Sequence, residues 1–103
     1  MTKRTLVICL DNIEAGRLFH ELLHEPDSTQ GYIQRLEVVQ VINGKSESTL
    51  FKTLKQLNNL DGYRFDKVTI TDNAYKNGSI VALNKAIYLK GMLTAHIPRE
   101  EPI

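Results

Sequence analysis

The chain has 103 residues, of which 42% are hydrophobic and 24% are charged, and its formal net charge is +1. This length suits one domain with a single core, so we predict one globular domain over residues 1–103. A charge so close to zero offers no strong attraction for nucleic acid or an anionic membrane surface, and it argues against both as partners.

The apolar runs are short. The longest one, Leu6–Leu10, is far shorter than a membrane span, and the run after Met1 is too short for a signal peptide. We therefore predict a cytoplasmic protein. Cys9 is the only cysteine, which excludes an internal disulfide and a cysteine-based zinc site. Within the β-branched run TLVICL it is predicted to be a small buried residue rather than a nucleophile.

The first half of the chain shows a strand followed by a helix. Residues 5–10 are predicted to form a central strand buried on both faces. Asp11 is typical of a helix N-cap, and Glu14 completes a capping box. The helix should end near His24, before Pro26. Its apolar stripe at helical spacing is Ala15, Leu18, Phe19, Leu22 and Leu23.

The middle of the chain is predicted to contain a loop over 25–31 and a long strand over 32–42. Asn43-Gly44 should turn the chain, and a second helix is expected from Ser46 to the glycine stop at Asp61-Gly62. That helix would bury Leu50, Phe51, Leu54, Leu57 and Leu60. Residues 67–71 alternate apolar and polar side chains, which indicates a third strand.

The last third supports two interpretations. Asn77-Gly78 is a strong hairpin signal between two candidate strands, whereas residues 79–90 are rich in helix formers, with Gly91 as a cap. Residues 92–97 are predicted to form a closing strand, and residues 98–103 a loose tail.

These elements favour an α+β fold. We predict a two-layer sandwich with a mixed sheet of about four to five strands and helices mainly on one face, ferredoxin-like in outline. The alternative is a three-layer α/β domain in the order β-α-β-α-β-α-β, with a helix at 79–90. In the first arrangement part of one sheet face stays open.

One motif carries a specific chemistry. His20–His24 reads HELLH and matches the HExxH pattern of zinc peptidases, in which two histidines one helical turn apart bind zinc and the glutamate acts as general base. His96, Glu37 or Glu47 is the candidate third ligand. The helical periodicity, however, places His20 and His24 on the far side from the apolar stripe, so we predict that both face solvent.

Two aspartates suggest a second metal site. Asp11 and Asp72 each follow a predicted strand, and parallel neighbouring strands would bring both carboxylates to one edge of the sheet, where Mg²⁺ is held in many phosphate-handling domains. A helix cap and a turn explain the same residues. Gly44-Lys45-Ser46 looks like the end of a phosphate-binding loop, but Val39 occupies the position of its first glycine, so we interpret the segment as a turn and a cap.

The leading functional hypothesis is a non-enzymatic interaction or regulatory module that forms a homodimer through an open sheet face, with no cofactor. The alternative is a metal-dependent hydrolase that uses His20, Glu21 and His24 with zinc. This alternative also includes a phosphate-handling enzyme, which would use Asp11 and Asp72 with magnesium. The third hypothesis is a weak nucleic-acid binder that uses Lys52, Lys55, Lys67 and Lys76.

Overall fold

A computed structural model describes residues 3–59 and 65–94. Five strands form one sheet in the order β2-β3-β4-β1-β5. The strands are β1 (Lys3–Cys9), β2 (Ser28–Tyr32), β3 (Glu37–Ile42), β4 (Lys45–Thr53) and β5 (Lys67–Ile70). The helices are α1 (Asn12–Leu23), α2 (Asp72–Asn77) and α3 (Ile80–Thr94), and short 3-10 segments cover Ile33–Arg35 and Leu54–Asn59.

Strand β1 is an interior strand of the sheet, as its apolar run predicts. It lies parallel to β4 on one side and to β5 on the other, while β3 pairs antiparallel with both β2 and β4. Leu6 and Ile8 are fully buried on one face of β1, and Cys9 is fully buried on the other. Burial on both faces explains why the segment has no polar alternation.

Helix α1 covers one face of the sheet. Asp11 caps it, because its side chain accepts a hydrogen bond from the Glu14 backbone N–H at 3.0 Å. Ala15 and Phe19 then pack in one cluster with Val38 and with Phe51 of β4. The predicted Asp11 cap and the apolar stripe are both confirmed, whereas the Glu14 carboxylate accepts from the Leu10 N–H instead of closing the predicted capping box.

The second cluster lies on the opposite face. It joins Leu6 and Ile8 to Ala74 of α2 and to Ala86 and Leu89 of α3. The mixed α+β fold with five strands is therefore confirmed. Its helices lie on both faces, which is the layering of the three-layer alternative, and the ferredoxin-like outline is not confirmed.

In the middle of the chain, the predicted loop was wrong and the predicted long strand is confirmed only over 37–42. The predicted loop over 25–31 contains most of β2, and the predicted long strand over 32–42 is interrupted by a 3-10 turn and by Leu36, whose φ is +48°. The turn separates two antiparallel strands, β2 and β3. A short polar edge strand such as β2 has no apolar alternation, so the sequence pattern does not reveal it.

The predicted helix from Ser46 was also wrong, because Lys45–Thr53 is strand β4. Leu50 and Phe51 lie on opposite faces of the sheet and contact different clusters. Adjacent apolar residues in a strand buried on both faces can mimic the spacing of a helix. The stop predicted at Asp61-Gly62 lies outside the described residues.

The two Asn-Gly pairs have different roles. Asn43 and Gly44 both have positive φ, +54° and +78°, and connect β3 to β4 in a two-residue hairpin. Asn77-Gly78 instead separates α2 from α3, so the hairpin predicted there was wrong and the helix alternative is confirmed. Ser79 begins α3 by accepting a hydrogen bond from the Ala82 N–H at 3.2 Å.

The predicted closing strand over 92–97 was wrong for residues 92–94, which continue α3 through Gly91. Residues 95–97 and the predicted tail at 98–103 lie outside the described residues. None of the helices within the described residues is long and apolar enough to cross a membrane.

Candidate functional site

The two histidines of the HELLH motif lie on the exposed side of α1, as the periodicity predicts. His24 forms the C-cap, and its Nδ1 lies 2.7 Å from the carbonyl oxygen of His20. Because a carbonyl oxygen only accepts hydrogen bonds, Nδ1 is the donor in this contact. Glu21 forms an exposed ion pair with Arg17 at 3.1 Å.

Among residues 3–59 and 65–94, no third zinc ligand lies beside these two histidines. No group of three or more His, Cys, Asp or Glu side chains gathers in that part of the chain. Glu37 lies on the sheet face opposite α1, whereas Glu47 pairs with Gln40 on the α1 side. His96 lies outside the described residues, so its role stays a prediction.

Asp11 and Asp72 do follow neighbouring parallel strands, since β1 pairs directly with β5. Asp11 is engaged as the cap of α1, and Asp72 is an exposed residue in the first turn of α2. The cap interpretation therefore explains Asp11, whereas Asp72 begins a helix and does not lie in the predicted turn. A magnesium site between them stays a prediction.

A third carboxylate, Glu14, is buried at this same edge. Its Oε1 accepts hydrogen bonds from the Leu10 backbone N–H at 2.7 Å and from the Thr71 hydroxyl at 2.9 Å. The Thr71 oxygen in turn accepts from the Ala74 N–H, which caps α2. Glu14 thus ties the end of β1 to the start of α2. The sequence showed Glu14 only as a partner in the cap of α1, because a contact between positions 57 residues apart has no local pattern.

The Cys9 thiol is buried against α1. Burial, with the nearby charges of Glu14 and Asp11, raises its pKa to about 12. Such a thiol stays protonated at neutral pH, which matches the prediction of a small buried residue rather than a nucleophile.

The segment Gly44-Lys45-Ser46 is the hairpin turn and the start of β4, so Ser46 does not cap a helix. The four lysines of the nucleic-acid hypothesis do not form one stripe. Lys52 lies on the sheet face of Ile8, whereas Lys67 pairs with Thr5 and lies on the other face.

Sequence reasoning missed a pocket on the open part of the sheet, opposite α1. This sheet-face pocket has a volume of ≈ 340 Å³. It is lined by Arg4, Arg35, Glu37, Ser48, Leu50, Lys52 and Phe65. The residues come from β1, β3, β4 and the segments beside the sheet, so only the strand register brings them together.

Glu37 is the organising residue of this pocket. It accepts a hydrogen bond from the Ser48 hydroxyl and forms an ion pair with Arg35 at 2.5 Å. Partial burial raises its pKa, but the bonds from Ser48 and Arg35 and the charges of Arg35 and Arg4 outweigh burial, so the pKa is lowered. Arg35 also stacks on the Tyr32 ring at 4.2 Å.

A second, more open groove runs beside α1. Its apolar lining residues are Val7, Leu18, Leu22 and Phe51, and its polar lining residues are Glu21, Glu25 and Gln40. These apolar side chains belong to the core cluster under α1 or pack against it.

No family model, no curated protein and no solved structure matches this chain.

Proposed function

We propose that the chain is a non-enzymatic interaction module, cytoplasmic as its sequence suggests, that self-associates through the outer face of α3. The observation that carries this proposal is that α3 is apolar on both faces. Ala86 and Leu89 are buried against the sheet, while the opposite face exposes large apolar side chains. These are Ile80 (76% exposed), Val81 (81%), Ile87 (48%) and Tyr88 (68%). A helix that is apolar all round is ordinarily covered on all sides.

The outer face of α3 is arranged symmetrically about Asn84. Ile80 and Tyr88 lie four residues before and after it, and Val81 and Ile87 lie three residues before and after. At about 100° per residue, all four flank Asn84 on one side of the helix. This arrangement suits a two-fold contact, in which the same patch meets itself.

A second copy is therefore the occupant that fits this face best. In an antiparallel pair of α3 helices, Ile80 of one copy would meet Ile87 of the other, and Val81 would meet Tyr88. Asn84 would face Asn84 across the two-fold axis. An amide side chain both donates and accepts, so two of them can satisfy one another.

The available area fits a weak, reversible dimer. The four exposed side chains offer on the order of 500 Å² per copy, or about 1,000 Å² for the pair, which is close to the lower limit of specific interfaces.

The open sheet face is a poorer surface for self-association than the sequence suggested. Arg4, Glu37 and Lys52 lie around its pocket. Burying such charges against a second copy carries a desolvation cost that only close pairing can offset. The outer face of α3 has a smaller cost of this kind, because its exposed charge, Lys85, lies at the border of the apolar side chains.

The test is sedimentation equilibrium at concentrations up to hundreds of micromolar. The native chain should show a monomer–dimer equilibrium, and Val81→Lys should remain monomeric, because it places a charge in the apolar contact. Ile13→Lys is the matched control, since Ile13 is also 81% exposed but lies on α1. A native chain that stays monomeric, or a Val81→Lys variant that dimerises as well as the control, would contradict the proposal.

A further inference from the structure

We propose that the sheet-face pocket binds a small organic anion with a flat apolar body, such as an aryl phosphate or carboxylate. The pocket volume of ≈ 340 Å³ lies within the range of ligand sites in proteins. The inference is independent of the α3 interface, because none of the residues that line the pocket belongs to α3.

The charge of the pocket selects an anion. Three cations, Arg4, Arg35 and Lys52, face one carboxylate, Glu37, which leaves an excess of two positive charges. Within residues 3–59 and 65–94, ion pairs join Arg17 to Glu21 and Arg35 to Glu37. The charges of Arg4 and Lys52 are thus not balanced by an ion pair in that part of the chain.

The walls of the pocket are held in place before any ligand arrives. Glu37 is fixed between the Ser48 hydroxyl and Arg35, and Arg35 is itself stacked on Tyr32. Side chains that are already ordered lose little further entropy when a ligand binds.

The apolar part of the lining selects the body of the ligand. Leu50 is half-buried and Phe65 is buried, and both line the cavity beside the cations. A flat ring can lie against these two side chains while its anionic group reaches Arg4 or Lys52. An inorganic anion would use only the charge, and a neutral ring would use only the apolar surface.

The probe for the test is phenyl phosphate, titrated into the ¹⁵N-labelled native chain and followed by amide chemical shifts. We expect the largest shifts at Arg4, Ser48 and Leu50. Phenyl phosphate should bind at least about fivefold more tightly than inorganic phosphate or phenol, because only the aryl phosphate uses both halves of the pocket. Equal affinity for inorganic phosphate, or shifts centred away from the pocket, would overturn the proposal.

Substitutions separate pocket binding from general charge attraction. Lys52→Gln should weaken phenyl phosphate binding about fivefold or more, since a charged hydrogen-bond donor is lost. Lys55→Gln is the control, because Lys55 is exposed and does not line the cavity. Val81→Lys should bind as the native chain does, which distinguishes failure of this site from failure of the α3 interface. Equal weakening by Lys52→Gln and Lys55→Gln would overturn the assignment.

Discussion

Glu14 shows how one buried carboxylate can join two elements that are far apart in sequence. It accepts hydrogen bonds from Leu10 at the end of β1 and from Thr71, 57 residues further along the chain. Its backbone N–H is satisfied by Asp11. One side chain therefore connects the caps of α1 and α2 with the end of strand β1.

We predict that Glu14→Ala lowers the free energy of unfolding by about 2–3 kcal/mol, because it leaves the Leu10 N–H and the Thr71 hydroxyl without their acceptor. Glu21→Ala, on the exposed side of the same helix, should change it by less than about 0.5–1 kcal/mol. Urea denaturation of the two variants measures both values. Losses of the same size would show that the Glu14 bonds contribute nothing specific.

Glu37 predicts a pH dependence of stability. Its pKa in the folded chain is lowered from the ordinary value of 4.5, so the folded state holds the proton less tightly than the unfolded state. The resulting stabilisation is complete above the ordinary pKa and is lost as the pH falls through the lower folded pKa. Glu37→Gln should therefore be less stable than the native chain at neutral pH, and the difference should shrink below about pH 4.5. Urea midpoints at several pH values measure this difference, and a difference that is constant with pH would refute the assignment.

At the scale of elements, the sequence predicted those parts whose determinants are local. The cap at Asp11, the apolar stripe of α1 and the turn at Asn43-Gly44 all depend on residues within a few positions of one another. Strand β2 was missed because this short polar edge strand has no apolar alternation, and β4 was missed because its adjacent apolar residues mimic helical spacing. The pocket around Glu37 was missed because it requires the register between β1, β3 and β4.

Alanine should have opposite effects at two glycines, Gly44 in the hairpin between β3 and β4 and Gly16 in α1. Gly44 has φ +78°, a conformation that disfavours any side chain, so Gly44→Ala should destabilise the fold by about 1 kcal/mol. Gly16 lies inside α1, and a Cβ there would meet no atom within 4 Å. Gly16→Ala should therefore stabilise the fold by about 0.5–1 kcal/mol. Thermal unfolding measures both changes, and the same sign for both would contradict this account of the turn.

At the scale of the whole molecule, the two faces of the sheet are covered differently. Helix α1 lies over β1, β3 and β4 on one side. On the other side α3 packs against the β5 half, and the sheet-face pocket lies beside it over β3 and β4. The same packing leaves the outer face of α3 as an apolar surface, centred on Asn84. The layered order of the elements thus creates both proposed binding surfaces, and neither was visible before the helices and strands were placed in space.

Disulfide cross-linking through Asn84→Cys tests self-association through α3 most directly. The two-fold contact places residue 84 of one copy against residue 84 of the other, and Cys9 does not interfere because its thiol is fully buried. Under mild oxidation, Asn84→Cys should form a covalent dimer rapidly, whereas Ile13→Cys, exposed on α1, should form little. Equal cross-linking of the two variants, or no dimer from Asn84→Cys, would contradict self-association through α3.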